Sequence, residues 1–311
     1  MAARAGARRL SGEALVTGGG GFAGRHLVDE LRSRGQGPAA PCRSELELLD
    51  TDAVQEALAR LRPRVVFHLA ALASVPFSWE HPRRTLRENV EMTLNVLEAV
   101  RSEAPDAAVV LAGSGEVYGA PERLPVDESA PLAPRNPYAL SKAACDLLGA
   151  QYADVHGLRV VRMRAFNQAG PGQSEDYVVG TLTRQVAEAE AAGGDAAVIR
   201  LGNLDSARDF TDVRDVARAY ADAIEAPPAT YNVCSGQAVT VRELLELLRG
   251  AARVEVRHEV AQERLRAYDV PEVRGSAERF AQATGWSPRI PLEQTVADAL
   301  DWWRERVSSA R

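Results

Sequence analysis

Short apolar segments alternate with longer amphipathic segments along the first half of the chain. Residues 65–71 and 107–112 are nearly continuous apolar runs, and residues 22–34 have the spacing of an amphipathic helix. Continuous apolar runs are typical of parallel strands, because helices cover both faces of a parallel sheet. The repeated strand–helix–strand pattern therefore predicts an α/β fold with a doubly wound parallel sheet.

The same pattern gives approximate bounds for the elements of the whole chain. The predicted strands cover residues 13–17, a segment ending near 42–43, 65–71, 107–112, 158–164, 197–201, 231–233 and 254–258. The predicted helices cover residues 22–34, 82–101, 136–155, 181–191, 214–224 and 240–249, with further helices near the end. After residue 165 the regular alternation is lost, which indicates a second unit.

A glycine-rich loop follows the first predicted strand. Residues 18–21 are all glycine, so both Gly18/Gly21/Gly24 and Gly19/Gly21/Gly24 fit a dinucleotide-binding spacing. Glycines let the backbone approach a pyrophosphate, which then lies at the N-terminus of the following helix. We expect a dinucleotide site in a Rossmann-type sheet, formed by Gly18, Gly21, Phe22, Ala23 and Gly24.

The ends of the next two strands indicate which dinucleotide binds. An acidic residue usually ends the second strand and holds the ribose 2′-hydroxyl of NAD, but Arg43 occupies that place here. An arginine suits a 2′-phosphate, so NADP is favoured and NAD stays open. Glu47 and Leu48 are expected at the adenine edge. Leu69, Ala70 and Ala71 are expected to let the cofactor pass over a strand end, while His68 is expected to be a core residue.

Residues 136–142, Asn-Pro-Tyr-Ala-Leu-Ser-Lys, carry the strongest catalytic signal. Tyr138 and Lys142 are four residues apart, so they lie on one face of a helix, and Lys142 is the only lysine in the chain. We expect the ammonium to lower the pKa of Tyr138 from its usual value of about 10, which would make the phenol a proton donor or acceptor. Ser114 and Glu116 follow the strand at 107–112 and are expected beside the cofactor.

Composition excludes several other classes. The net charge of −6 gives no reason to expect a nucleic-acid partner, and no apolar run reaches membrane-spanning length. The three cysteines have neither metal-ligand nor disulfide spacing, so we expect no metal site and free thiols in the cytoplasm. No apolar segment follows residues 1–10, so a signal peptide is not expected.

Several motifs together resemble the extended short-chain dehydrogenase/reductase family of sugar-nucleotide enzymes. They are Thr17-Gly18-x-x-Gly21-Phe22-x-Gly24, His68-Leu69-Ala70-Ala71, Ser114 before Tyr118-Gly119, and Tyr138-x-x-x-Lys142. Within that family, residues 167–173, 202–204 and 208–215 are most similar to the GDP-6-deoxy-4-keto-D-mannose reductases.

The resemblance implies roles for individual residues. Ser114 and Tyr138 would bind the carbon-4 oxygen of the sugar, and Lys142 would hold the nicotinamide ribose. Arg208 and Arg266 would meet the diphosphate and nucleoside, and Asp269 would meet the nucleoside ribose. The remaining positions expected to contact the substrate are Ser74, Asn167, Val178, Arg184 and Asn203.

The resemblance also implies an arrangement of units. Residues 1–165 would form the dinucleotide-binding domain, to which residues 211–235 return. Residues 166–210 and 236–311 would form a smaller interleaved α/β lobe that binds the sugar nucleotide. The helices predicted near 82–101 and 136–155 lie where relatives form a four-helix interface, so a homodimer is expected.

Three functions remain open from the sequence. The leading one is NAD(P)H-dependent reduction of a GDP-linked 4-keto-6-deoxyhexose, giving GDP-D-rhamnose. A redox-neutral 4,6-dehydratase or 4-epimerase with tightly held NAD(P) is the alternative, and Glu116 is the residue that favours it, since related dehydratases use a glutamate there to move protons. A non-catalytic NADP-binding protein is the third, which the intact Ser114, Tyr138 and Lys142 disfavour.

Overall fold

The structure, a computed structural model, describes residues 14–261 and 270–309. Its strands are β1 (Ala14–Thr17), β2 (Val65–His68), β3 (Ala108–Ala112), β4 (Arg159–Ala165), β5 (Asn167–Ala169), β6 (Ala196–Leu201), β7 (Ala207–Asp212), β8 (Thr230–Val233), β9 (Ala238–Thr240), β10 (Glu255–Val260) and β11 (Glu272–Val273).

The helices of the described residues connect these strands. They are α1 (Phe22–Ser33), α2 (Thr51–Leu61), α3 (Val75–Glu80), α4 (Pro82–Glu103), α5 (Pro137–His156), α6 (Val178–Ala191), α7 (Val213–Asp222), α8 (Val241–Ala251), α9 (Glu278–Thr284) and α10 (Leu292–Ser309), with 3₁₀ turns at Gly115–Tyr118 and Ala223–Glu225. None of the helices in this part of the chain is both long enough and apolar enough to cross a membrane.

Five parallel strands form the central sheet, in the order β1-β2-β3-β4-β8. Alternate residues of each strand pack on opposite faces: Val65 and Phe67 face α1 and α7, whereas Val66 faces α2, α4 and α5. Both faces are therefore covered by helices, which explains why every residue of β1, β2 and β8 is buried. The predicted doubly wound α/β fold is confirmed.

The prediction of a strand that ends near Cys42 is wrong. Only Ala39 meets the sheet, as an isolated bridge to Leu15, and a turn follows in which Glu45 and Leu46 donate to the carbonyl of Cys42. Pro38 and Pro41 on either side of this bridge lack the N–H groups that a longer ladder would need.

The second half of the chain forms a smaller lobe around β6, β7 and their partners. β10 pairs with β6, and β5, β9 and β11 all pair with β7. A separate core lies between α6, α8 and α10 and these strands. Phe280 of α9 instead packs between Tyr231 and Trp286, and all three belong to the core of the large sheet.

Buried carboxylates at the end of β7 join the two parts. Asp209 accepts hydrogen bonds from the backbone N–H groups of Ser235, Gly236 and Gly275. Asp215 accepts from the N–H groups of Arg289 and Ile290. These bonds satisfy backbone donors in three separate loops, so Asp209 of β7 and Asp215 of α7 fix the lobe against the sheet.

Candidate functional site

The glycine loop and the loop after β2 lie side by side at the carboxyl edge of the sheet. The N–H of Leu69 donates to the carbonyl of Thr17 at 3.1 Å. Gly18 has φ +73°, and a Cβ there would lie 2.6 Å from the backbone nitrogen of Ala70. Only glycine fits this conformation and this approach. The two predicted cofactor segments are thus in direct contact.

The N-terminus of α1 fits a dinucleotide pyrophosphate. Gly21 occupies the N-cap position and supplies no side-chain hydrogen bond to the first turn, so the first N–H groups of the helix lack a side-chain acceptor. Gly24 lies against the loop, where a Cβ would be 2.1 Å from the carbonyl oxygen of Gly18. The tight loop and the helix terminus together form a cradle for an anionic group, bounded by Phe22 and Ala23.

Arg43 lies on the exposed turn that follows the Ala39 bridge. Its side chain is 63% exposed and forms an ion pair with Glu47 at 2.7 Å. The other carboxylate oxygen of Glu47 accepts from the N–H of Leu49, while Leu48 is buried in the core. A guanidinium in this position is accessible to a phosphate, and Glu47 limits its orientation.

Helix α5 brings the predicted catalytic residues to the end of β3. Ser114 follows β3 and caps the 3₁₀ turn, and its hydroxyl lies close enough to that of Tyr138 to act on the pKa of the phenol. Lys142 is only 7% exposed and donates from Nζ to the carbonyl of Ala112 at 2.7 Å. A hydroxyl pair and a buried ammonium therefore share the carboxyl edge of one strand.

The predicted direction of the Tyr138 pKa shift is wrong. Burial raises the pKa of Tyr138 above its usual range, and the hydrogen bond from Ser114 opposes the rise only in part. Burial also lowers the pKa of Lys142, whose ammonium is bound by a carbonyl at β3. Desolvation of the phenol outweighs any neighbouring charge, so Tyr138 is a neutral proton donor at physiological pH.

His68 is confirmed as a core residue. Its Nδ1 lies 2.8 Å from the hydroxyl of Thr17, and its Nε2 lies 3.2 Å from that of Thr93. Burial and the nearby charge of Lys142 lower the pKa of His68 to about 3, so the ring is neutral. It links β1, β2 and α4 beneath the site.

The expected substrate residues lie on several separate elements of the structure. Ser74 caps α3 by accepting from the N–H of Phe77, Asn167 begins β5, and Val178 begins α6. Asn203 accepts from the N–H of Asp205 on an exposed turn. Arg266 and Asp269 fall outside the described residues.

Two arginines predicted to contact the substrate are bound within the lobe. Arg184 forms ion pairs with Glu175 and, at 2.7 Å, with Glu188. Arg208 donates from Nη1 to the carbonyls of Ala207 and Val270, each at 2.8 Å. Both carbonyls belong to described residues of the lobe, and these bonds hold the Arg208 guanidinium against the start of β7.

Three residues near the reacting hydroxyls were not predicted from the sequence. Asn136 donates to the Glu116 carboxylate at 3.0 Å. Tyr177 at the start of α6 donates to the carbonyl of Ala73, which joins the lobe to the loop after β2. Tyr220 of α7 contributes, with Tyr177, to the raised pKa of Tyr138. Asn136 before Pro137 is a helix-start signal, but no sequence signal indicated its contact with Glu116.

The glycine cradle, Ser114, Tyr138 and Lys142 define an NAD(P)-dependent enzyme of the oxidoreductase type. Among the described residues, no cluster of His, Cys, Asp or Glu could hold a metal ion. The chain belongs to the GDP-mannose 4,6 dehydratase family, whose model matches residues 42–299.

Individual relatives agree with this family. GDP-6-deoxy-D-mannose reductase of Pseudomonas aeruginosa is 38% identical over 94% of this chain and 97% of its own length. The structure of RMD from Pseudomonas aeruginosa complexed with NADPH superposes with a TM-score of 0.87 at 37% identity, over 95% of this chain and 100% of that chain. The UDP-glucose 4-epimerase of Thermus thermophilus in complex with NAD gives a TM-score of 0.81 at 30% identity, over 94% of this chain and 99% of that chain.

We predict that Gly24→Ala greatly weakens cofactor binding. The added Cβ would lie 2.1 Å from the Gly18 carbonyl oxygen, so the loop must move away from α1. Titration of NADPH by fluorescence should show a dissociation constant raised by about tenfold or more, since the cradle depends on this close approach. Gly20→Ala is the matched control, because nothing lies within 4 Å of a Cβ there. Equal affinity in both variants would contradict this account.

Proposed function

We propose that this protein reduces the 4-keto group of a nucleotide-linked 4-keto-6-deoxyhexose, with GDP-4-keto-6-deoxy-D-mannose as substrate and GDP-D-rhamnose as product. The observation that carries the proposal is the Ser114–Tyr138 hydroxyl pair beside the buried Lys142 at the end of β3. The likeness to GDP-6-deoxy-D-mannose reductase over nearly the whole chain supports this substrate class.

The reaction needs a proton donor and a stabiliser of negative charge at the carbon-4 oxygen. Bound NAD(P)H would supply the hydride. Tyr138 stays protonated because burial raises its pKa, so it can donate its proton to the developing alkoxide. Ser114 donates a hydrogen bond to the same oxygen, and the Lys142 ammonium favours the phenolate that remains.

Residues of the lobe would hold the nucleotide far from the reacting carbon. Arg208 and Arg266 suit the diphosphate, Asp269 suits the nucleoside ribose, and Asn167 suits the sugar–phosphate region. Ser74, Val178, Arg184 and Asn203 would complete this surface. Residues 1–165 with 211–235 would thus bind the cofactor, and residues 166–210 with 236–311 would bind and orient the substrate.

Redox-neutral 4,6-dehydration or 4-epimerisation is the second candidate. It is favoured by Glu116, which a side-chain amide holds near the Ser114–Tyr138 pair. In that reaction Glu116 would remove and return a proton on the sugar, and tightly held NAD(P) would be regenerated in each turnover.

The test of the proposed reaction is NADPH absorbance on addition of GDP-4-keto-6-deoxy-D-mannose. We predict stoichiometric oxidation by the native protein and, for Tyr138→Phe, a fall in kcat of about a hundredfold or more, as expected for loss of a general acid. NADPH binding should persist in this variant, because the ring is retained. Conversion of the sugar without net oxidation of NADPH would contradict reduction and favour the redox-neutral candidate.

We propose NADP(H) rather than NAD(H) as the preferred cofactor, because the exposed guanidinium of Arg43 suits a 2′-phosphate and stands where an acidic residue would hold the ribose of NAD. Arg43→Ala should raise the dissociation constant of NADPH by about tenfold, which corresponds to the free energy of one charged hydrogen bond. The dissociation constant of NADH should stay unchanged. Isothermal titration of both cofactors measures the two changes. A parallel loss for both would show that Arg43 does not recognise the phosphate.

We infer that the protein is a homodimer in the cytoplasm. Helices α4 and α5 pack together and expose apolar side chains seven or eight residues apart: Leu86, Leu94, Leu140 and Leu147. A second copy of the same helices would cover this stripe. The free state of all three cysteines, Cys42, Cys145 and Cys234, supports a reducing compartment.

We predict that Leu147→Glu produces a monomer. The side chain is 59% exposed in one chain, so the charge is tolerated there but would be buried in the dimer. Light scattering at micromolar concentration should show half the native mass. Val198→Glu, at an exposed apolar position on β6, should stay dimeric. A monomeric native protein would contradict the inferred interface.

A further inference from the structure

Asn136 makes two hydrogen bonds with one side-chain amide. Its Oδ1 accepts from the N–H of Ala139 at 2.7 Å and so caps α5. Its Nδ2 donates to Oε2 of Glu116 at 3.0 Å. Because the cap requires the oxygen end of the amide, the nitrogen end must face Glu116. The start of the catalytic helix thus determines where the Glu116 carboxylate lies.

Glu116 is fixed from a second side as well. Its backbone N–H donates to the Ser114 hydroxyl at 3.2 Å, and the Ser114 hydroxyl lies close to that of Tyr138. Glu116 is therefore connected to Tyr138 by two routes, one through Ser114 and one through Asn136 and the first turn of α5. The first route holds the backbone of Glu116, and the second holds its carboxylate.

The negative charge of Glu116 acts on the phenol. It adds to burial in raising the pKa of Tyr138, which favours the protonated form. The other titratable groups that act on the phenol are Tyr177 and Tyr220, in the same direction as Glu116. Lys142 is on the same helix, one turn further on. His68 lies beyond Lys142 and is neutral. Among these titratable side chains, Glu116 carries the carboxylate.

We propose that Asn136 is a positioning residue for the reaction, acting through Glu116. By capping α5 and holding the Glu116 carboxylate with the same amide, it fixes a negative charge between the turn that carries Ser114 and the helix that carries Tyr138. This proposal rests on the proposed reduction, in which Tyr138 must begin each turnover protonated.

A charge exchange between the two positions tests the proposal. Serine and aspartate also cap helices well, so Asn136→Ser and Asn136→Asp keep α5 intact. Asn136→Ser removes the donor to Glu116, Asn136→Asp places two carboxylates together, and Glu116→Gln removes the charge. We expect each single variant to lower kcat by about tenfold, as for a misplaced catalytic group, with little change in KM or in NADPH affinity.

The double variant Glu116→Gln/Asn136→Asp restores one negative charge and one amide–carboxylate hydrogen bond with the polarity reversed. It should recover kcat to within about threefold of the native value, since coupled residues give non-additive effects. Glu116→Gln alone should also move the alkaline fall of kcat to lower pH, because removal of an anion makes Tyr138 easier to ionise. Asp50→Ser, which exchanges the N-cap of α2, is the control and should keep native kcat.

Additive losses in the double variant, or native kcat in Asn136→Ser, would overturn the proposal. A second measurement does not depend on turnover. The carboxyl carbon of Glu116 in ¹³C-glutamate-labelled protein, assigned by its loss in Glu116→Gln, should shift in Asn136→Ser. If the native protein fails to oxidise NADPH but this resonance shifts, the proposed reaction is wrong and the positioning by Asn136 stands. An unchanged resonance would refute the positioning itself.

Discussion

The packing of helix α5 against the carboxyl end of β3 is the constraint on which the site depends. The first residue before the helix caps it and holds Glu116, Tyr138 meets Ser114, and Lys142 reaches the carbonyl of Ala112 one turn later. A rotation of α5 would separate all of these contacts together. The chemistry therefore depends on how accurately one helix is held.

A buried ion pair holds that helix. Asp146 of α5 accepts two hydrogen bonds from Arg164 of β4, at 3.2 and 2.8 Å. Arg164 also donates to the hydroxyl of Tyr118, which in turn donates to Asn232 of β8. Removal of one member would leave a buried charge without a partner, which typically costs about 3–5 kcal/mol. The network connects α5 to two strands and to the turn that carries Ser114 and Glu116.

Much of this arrangement could be predicted from local patterns. The apolar runs indicated the strands of the central sheet, and the glycines at 18, 21 and 24 indicated the tight loop before α1, because each depends on residues close in sequence. The prediction of a strand near Cys42 was wrong, because Pro38 and Pro41 limit the pairing with the sheet to one bridge. The predicted direction of the pKa shift of Tyr138 was wrong, because the burial of the phenol depends on tertiary packing. The contact between Asn136 and Glu116 joins residues 20 positions apart in two loops, which no periodicity can indicate.

The proposed reaction is a net transfer of hydride from the cofactor to carbon 4 of the sugar. The most direct measurement uses NADPH that carries deuterium at nicotinamide carbon 4, prepared separately with each of the two stereochemical labels, and examines the GDP-sugar product by NMR. Net reduction predicts that one of the two labels appears quantitatively at carbon 4 of the 6-deoxyhexose. A product without deuterium from either label, formed while the cofactor stays reduced, would contradict the account and identify a redox-neutral enzyme.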